Sequence, residues 1–189
     1  MAMQSLRKRY RFLISVALCG VIIAGYYWLS HDSSTSIHPY DPSKDRAALV
    51  NMFKPNAFWL SDDADEQHAT DTFEHALDYR ASSTNPCDAG NLSIYVYRDE
   101  QATKGFVTYY PVSRTAAKIL YIAVSDQYRR RGYAEKLMNF ALQDLKRRGF
   151  HHVELVTRVT NQRAQGLYKK YGFKEGWNDG TLVSFERTL

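Results

Sequence analysis

A single α/β domain on a mixed sheet, preceded by one transmembrane helix, is the fold class this sequence predicts. Three observations carry it. Residues 12–29 (FLISVALCGVIIAGYYWL) contain no charged side chain. An apolar strand at 117–124, a strongly amphipathic helix and a strand at 152–159 follow one another, which implies a parallel crossover. The β-rich runs at 92–98 and 105–112 and a C-terminal hairpin are antiparallel pairs, so the sheet is mixed.

The elements follow in order. The uncharged run is apolar all round, unlike the striped face of a helix packed on a core. At ~1.5 Å per residue it reaches about 27 Å, enough for a hydrocarbon core. Tyr26, Tyr27 and Trp28 at its far end suit an aromatic belt. A cleaved signal peptide is the rival, but its apolar region is shorter and ends in a small-x-small site that Tyr26–Ser30 does not offer. Residues 1–11 form a basic flank with Arg7, Lys8, Arg9 and Arg11. Residues 30–36 are polar and serine-rich and read as a linker. A folded domain over 37–189 follows.

That domain begins with a short strand at 36–40. A helix follows with Asp41 or Ser43 as cap, and Pro55 ends it. A second, acidic helical stretch covers 62–79, and 82–91 is a loop. After the strands at 92–98, 105–112 and 117–124 comes the long helix. Its Ala134, Leu137, Met138, Ala141, Leu142 and Leu145 recur on one face, and Gly149 stops it after Lys146, Arg147 and Arg148. Asn161 caps a further helix bearing Ala164, Leu167, Tyr168 and Tyr171. Strands at 173–177 and 181–187 join through Asn178, Asp179 and Gly180.

Composition narrows the function. The chain has 189 residues, 44% hydrophobic and 24% charged, an ordinary globular balance. Two cysteines, Cys19 and Cys87, make neither a disulfide framework nor a cysteine zinc site, and the six histidines lack zinc spacing. No metal is expected. The net charge of +5 comes mostly from the N-terminal flank; beyond it 21 basic residues face 20 acidic ones. Nucleic acid is therefore not the expected partner.

The turn before the long helix carries chemistry. Arg129, Arg130, Arg131, Gly132, Tyr133 and Ala134 place small residues and three guanidinium groups at a helix start. The first N–H groups of a helix are unpaired and, with the macrodipole, form an anion site suited to a pyrophosphate. A solvated basic turn is the plainer alternative.

Residues 120–176 resemble the GCN5-related N-acetyltransferase (GNAT) superfamily. Arg129–Ala134 match its acyl-CoA loop, [Q/R]-x-x-G-x-[G/A]. The run NQRAQGLYKKYGF from Asn161 to Phe173 matches its second signature, N-x-x-A-x-x-L-Y-x-K-x-G-F. The resemblance implies an N-acetyltransferase domain over 37–189 with acetyl-CoA as co-substrate. Its acceptor would be an amine-bearing small molecule or protein. It implies that Ile122, Ala123 and Val124 offer backbone groups to the acyl-pantetheine arm. Arg129, Arg130, Arg131, Gly132, Tyr133 and Ala134 would hold the pyrophosphate, and Asn161 would contact the arm. Tyr168 would protonate the departing thiolate; packing on the apolar helix face is its other reading. No general base stands out. Some relatives place a glutamate on the neighbouring strand, and Glu154 is the candidate here, with Tyr121 or a water chain as alternatives. The acids Asp62, Asp63, Asp65, Glu66 and Asp71 would attract a cationic amine or form a solvated helix face. A non-catalytic acyl-CoA-binding or partner-binding module on a tether is the alternative function.

The membrane argument pulls two ways. The basic flank puts the N-terminus in the cytoplasm and the domain outside. Acetyl-CoA is cytosolic and charged. The expectation is a single-pass membrane protein whose catalytic side is open between these two arguments, leaning towards the cytoplasm.

Overall fold

The computed structural model describes residues 36–63, 65–82 and 92–189. The anchor expected at 12–29, most of the linker and most of the loop at 82–91 lie outside them. Among the described residues no helix is long and apolar enough to cross a membrane.

The elements run β1 (Ile37–Pro39), α1 (Pro42–Phe53), α2 (Ala57–Leu60), α3 (Glu66–Ser82), β2 (Ser93–Arg98), β3 (Thr103–Pro111), β4 (Ala116–Val124), α4 (Tyr133–Arg147), β5 (His152–Arg158), α5 (Gln162–Lys170), β6 (Lys174–Asn178) and β7 (Leu182–Thr188). They form one seven-stranded sheet in the order β1-β2-β3-β4-β5-β7-β6. The β4–β5 pair is parallel and its neighbours are antiparallel, as the crossover required.

Two helix boundaries differ from expectation. Asp41 caps α1, accepting from the Ser43 N–H at 3.0 Å. Pro55 does not stop the chain's helical path. It sits early in a 3-10 turn over Lys54–Asn56, where its missing N–H costs nothing, and α2 continues for four residues. The acidic helix starts at Glu66, four residues later than expected. Asp65 caps it by accepting from Gln67 N and His68 N at 2.9 and 3.1 Å, and Asp63 accepts from Asp65 N at 2.9 Å. These two acids therefore serve local backbone at the helix start.

Strand alternation splits the core between the two sheet faces. Phe106 joins Leu49, Phe53, Phe73 and Leu77 of α1 and α3. Its neighbour Val107 joins Leu137, Met138, Ala141 and Leu145 of α4. Each such buried Leu, Phe, Met or Val side chain contributes roughly 1.5–3 kcal/mol of transfer free energy. The α4 stripe is the expected one with an addition: Asp144 is buried and accepts from the Tyr109 hydroxyl at 2.7 Å, with Arg147 beside it.

One irregularity positions the site. β4 and β5 pair only through Ala116–His152, Ala117–Val153 and Lys118–Glu154. Past Lys118 they separate, while β4 stays on β3 and β5 stays on β7. A bulge marks the parting: Tyr109 pairs with Ile119 and Thr108 with Tyr121, leaving Leu120 without a partner. The Tyr121 N–H goes to the Thr108 hydroxyl at 3.0 Å.

Candidate functional site

The parted strands open a cleft of about 830 Å³. The end of β4, the turn after it and the start of α4 form one wall. α5 forms the second, and Asn56, Trp59 and Leu60 close a third side.

Gly132 makes the first wall possible. It precedes α4 with φ +78°, a conformation that favours glycine, and a Cβ there would meet nothing within 4 Å. The first intrahelical bond runs from Lys136 N to Gly132 O at 3.0 Å. The N–H groups of Tyr133, Ala134 and Glu135 therefore have no acceptor among the described residues, and a helix start of this kind suits an anion. Arg130, at φ +60°, and Arg129 line the cleft beside them. Arg129 is also held by Asp126 at 2.6 Å and donates to the Asn56 side chain at 3.0 Å. Arg131 is not among the lining residues; its guanidinium lies 5.8 Å from the Tyr128 ring centre.

Gly105 matters next to this wall. A Cβ at that position would stand 2.7 Å from the Ala123 carbonyl oxygen, so only glycine lets β3 lie this close to β4. Ile122, Ala123 and Val124 line the cleft, on the part of β4 that β5 has left.

On the second wall Asn161 caps α5. Its side-chain oxygen accepts from Ala164 N at 3.2 Å, and its amide nitrogen donates to the Thr157 hydroxyl at 3.2 Å. Tyr168 lines the cleft and is also core, 6% exposed, with Phe173 and Phe185 at 6.1 and 5.6 Å. The packing reading of this residue therefore holds, and its ring also reaches the cleft. No side chain among the described residues hydrogen-bonds its hydroxyl, and burial pushes the phenol up, so it keeps its proton.

The base candidates fare differently. Glu154 sits opposite Lys118, on the stretch of β5 still paired with β4, and is not among the lining residues. Burial first, then the Asp62 carboxylate and Tyr110, push the Tyr121 phenol up to about 12, so it is no ready proton acceptor near neutrality. Among the described residues the one carboxylate on the cleft wall is Glu135, ion-paired with Lys170 at 2.8 Å.

The sequence reading did not place Asn56, Trp59 or Leu60 in the site. They reach it through a bond no local pattern announces. Arg158, 7% exposed at the end of β5, lies 4.0 Å over the Phe58 ring. It donates to the Phe58 carbonyl and, at 3.0 Å, to the Asp63 carbonyl.

Comparison with known proteins agrees with this geometry. The chain is 38% identical over 60 residues to a Bacillus subtilis (strain 168) protein whose name proposes it as a ribosomal protein bS18-alanine N-acetyltransferase. That match spans 32% of this chain and 40% of the relative, well under two thirds of its length. Among solved structures, Ard1 from Thermoplasma volcanium superposes with a TM-score of 0.61 at 23% identity, over 81% of this chain and 96% of that one. The yncA protein of Salmonella typhimurium, solved with acetyl-CoA, gives 0.60 at 16% identity, over 81% and 92%. The family model of the acetyltransferase (GNAT) family matches residues 47–173, so the chain belongs to that family.

Proposed function

We propose that the chain is an N-acetyltransferase that moves an acetyl group from acetyl-CoA directly to a primary amine. The observation that carries this reading is the cleft itself. One wall ends in three unpaired helix N–H groups flanked by Arg129 and Arg130, and the other holds the protonated phenol of Tyr168. The donor set fits the co-substrate: Gly132 to Ala134 with the two arginines for its pyrophosphate, the freed flank of β4 at 122–124 for its arm, and Asn161 beside that arm. Acetyl-CoA supplies the activated thioester.

The chain's own residues then divide the work. The β4 flank orients the carbonyl. The amine nitrogen bonds to the acyl carbon, the carbon–sulfur bond breaks, and Tyr168 gives its proton to the departing sulfur. The amine's proton leaves to solvent water, since the cleft wall offers no unpaired carboxylate among the described residues. The same lack of a base favours a second reading, a module that binds acyl-CoA without turnover.

Thiol release from acetyl-CoA by the full chain separates the two. The name of the Bacillus relative directs the first acceptor panel to peptides beginning with alanine, alongside polyamines and amino acids. Turnover is expected with at least one class. Tyr168→Phe should lower kcat roughly 10²-fold with little change in acetyl-CoA affinity. Tight binding without turnover on any amine leaves the module.

The anchor over residues 12–29 is part of the proposal. It rests on the uncharged run and the basic flank before it. The full chain should fractionate with membranes and need detergent for release; full-length chain in the soluble fraction removes the anchor.

A further inference from the structure

Two arginines grip the third side of the cleft from opposite ends, and their surroundings differ. Arg158 is enclosed. Its guanidinium stacks on Phe58 and donates to the Phe58 and Asp63 carbonyls, and no ion pair holds it among the described residues. A planar fork on an aromatic face with two carbonyl acceptors is a fixed fastening. Phe58 in turn meets Trp59 edge-on at 4.9 Å, so the fastening reaches the ring that lines the cleft.

Arg129 is open. Its side chain is 38% exposed and lies on the cleft wall beside the free helix N–H groups. The Asp126 carboxylate at 2.6 Å and the Val124 carbonyl at 3.4 Å hold the guanidinium at the turn, and its remaining acceptor is a neutral amide, the Asn56 oxygen. Asn56 also donates to the Met52 carbonyl at 2.8 Å, so this side chain ties the end of α1 to the turn before α4. Charge-assisted bonds are roughly twice as strong as neutral ones. An anion held at the start of α4 therefore competes for the Arg129 guanidinium on better terms than the Asn56 amide.

We infer that Arg158 and the Arg129–Asn56 pair are positioning residues for the acceptor side: Arg158 is a permanent pivot for residues 57–63, and Arg129–Asn56 is a clasp that opens when CoA binds. The inference rests on the functional reading above and adds to it a mechanical link between the two substrate sides. With the cofactor side empty, the clasp holds Asn56, Trp59 and Leu60 against the turn. With CoA bound, Arg129 turns to the anion and this wall swings on its Arg158 pivot.

Hydrogen exchange of residues 54–63 in the full chain, measured with and without CoA, tests the link, with calorimetry reporting CoA binding in the same samples. In the wild type, CoA should speed exchange of this segment about tenfold, the loss of one hydrogen bond to a charged group. In Asn56→Ala the segment should exchange fast already and ignore CoA, and CoA should bind up to about tenfold more tightly than to wild type, because the clasp no longer competes for Arg129. In Arg158→Met exchange at 57–63 should be fast in both states, and Arg158→Lys should restore part of the protection. Unchanged exchange in a wild type that binds CoA overturns the clasp, as does a CoA response that survives in Asn56→Ala. No CoA binding by the wild type overturns the functional reading first, and the clasp with it.

Discussion

The helix layer of α4 and α5 and the layer of α1 to α3 share one sheet, but different kinds of contact set them in place. At the two turns that begin α4 and α5 the bonds are short in sequence, although Lys170 and Glu135 join the two helices across 35 residues. Asn161 caps Ala164 three residues on, and Gly132 turns the chain directly into α4. Around the layer of α1 to α3, the proposed acceptor side, they are long. Arg46 reaches Asp78 across 32 residues, Arg98 reaches Asp45 across 53, Arg129 reaches Asn56 across 73 and Arg158 reaches Phe58 across 100. A site whose parts are local can be laid down by its own turns. A site whose parts are distant exists only once the whole sheet has formed.

Substitutions on the two sides should therefore fail differently. The largest effect is expected at Asp45. This carboxylate is fully buried and accepts from Arg98 at 2.6 Å, Thr103 at 2.7 Å and the Asp41 N–H at 2.9 Å. Asp45→Ala leaves a guanidinium, a hydroxyl and an N–H without their acceptor and should cost about 3–5 kcal/mol in urea unfolding. A loss below about 1 kcal/mol would show the acceptor side to be held by its apolar core alone, and the contrast would collapse. A smaller and more local effect is expected at Gly132. Gly132→Leu must adopt a left-handed conformation, costing about 1–2 kcal/mol of stability, and puts bulk at the mouth of the anion site. Acetyl-CoA affinity should fall more than tenfold by calorimetry while the thermal transition stays cooperative. Unchanged affinity would detach the turn from the cofactor and leave Arg129 without a ligand to answer.

The same contrast explains what could be read from the sequence. The seven strands, the α4 stripe, the Asn161 cap and the turn at 129–134 are all legible, and the cap of α1 is narrowed to Asp41 or Ser43. Each is a periodicity or a cap written in neighbouring residues. α2 was not, because Pro55 reads as a stop and only the 3-10 turn around it shows how the chain continues. Asp45, Asp144 and Arg158 carry no local signal of burial. Nothing near them in sequence says that Arg98, Tyr109 and Phe58 will cover them. Glu154 was chosen by strand position, and strand position alone does not say where two strands cease to pair. The acceptor side stayed dim for that reason: its signals are pairs, and a single sequence displays residues one at a time.

The parting of β4 from β5 has a consequence for selectivity. From Ile119 onward one flank of β4 is a row of main-chain groups that no strand has claimed, like a zip left open from Lys118 upward. On the function proposed above, a ligand arm that carries amides would be received there as a guest strand, through bonds any residue's backbone supplies. Such a surface is nearly indifferent to which side chains it bears, provided their size and the Gly105 approach are kept. It therefore reads shape in its guest and tolerates change in itself. On the same proposal, discrimination among acceptors would fall to the wall across from it, where Asn56, Trp59 and Leu60 present side chains instead of backbone.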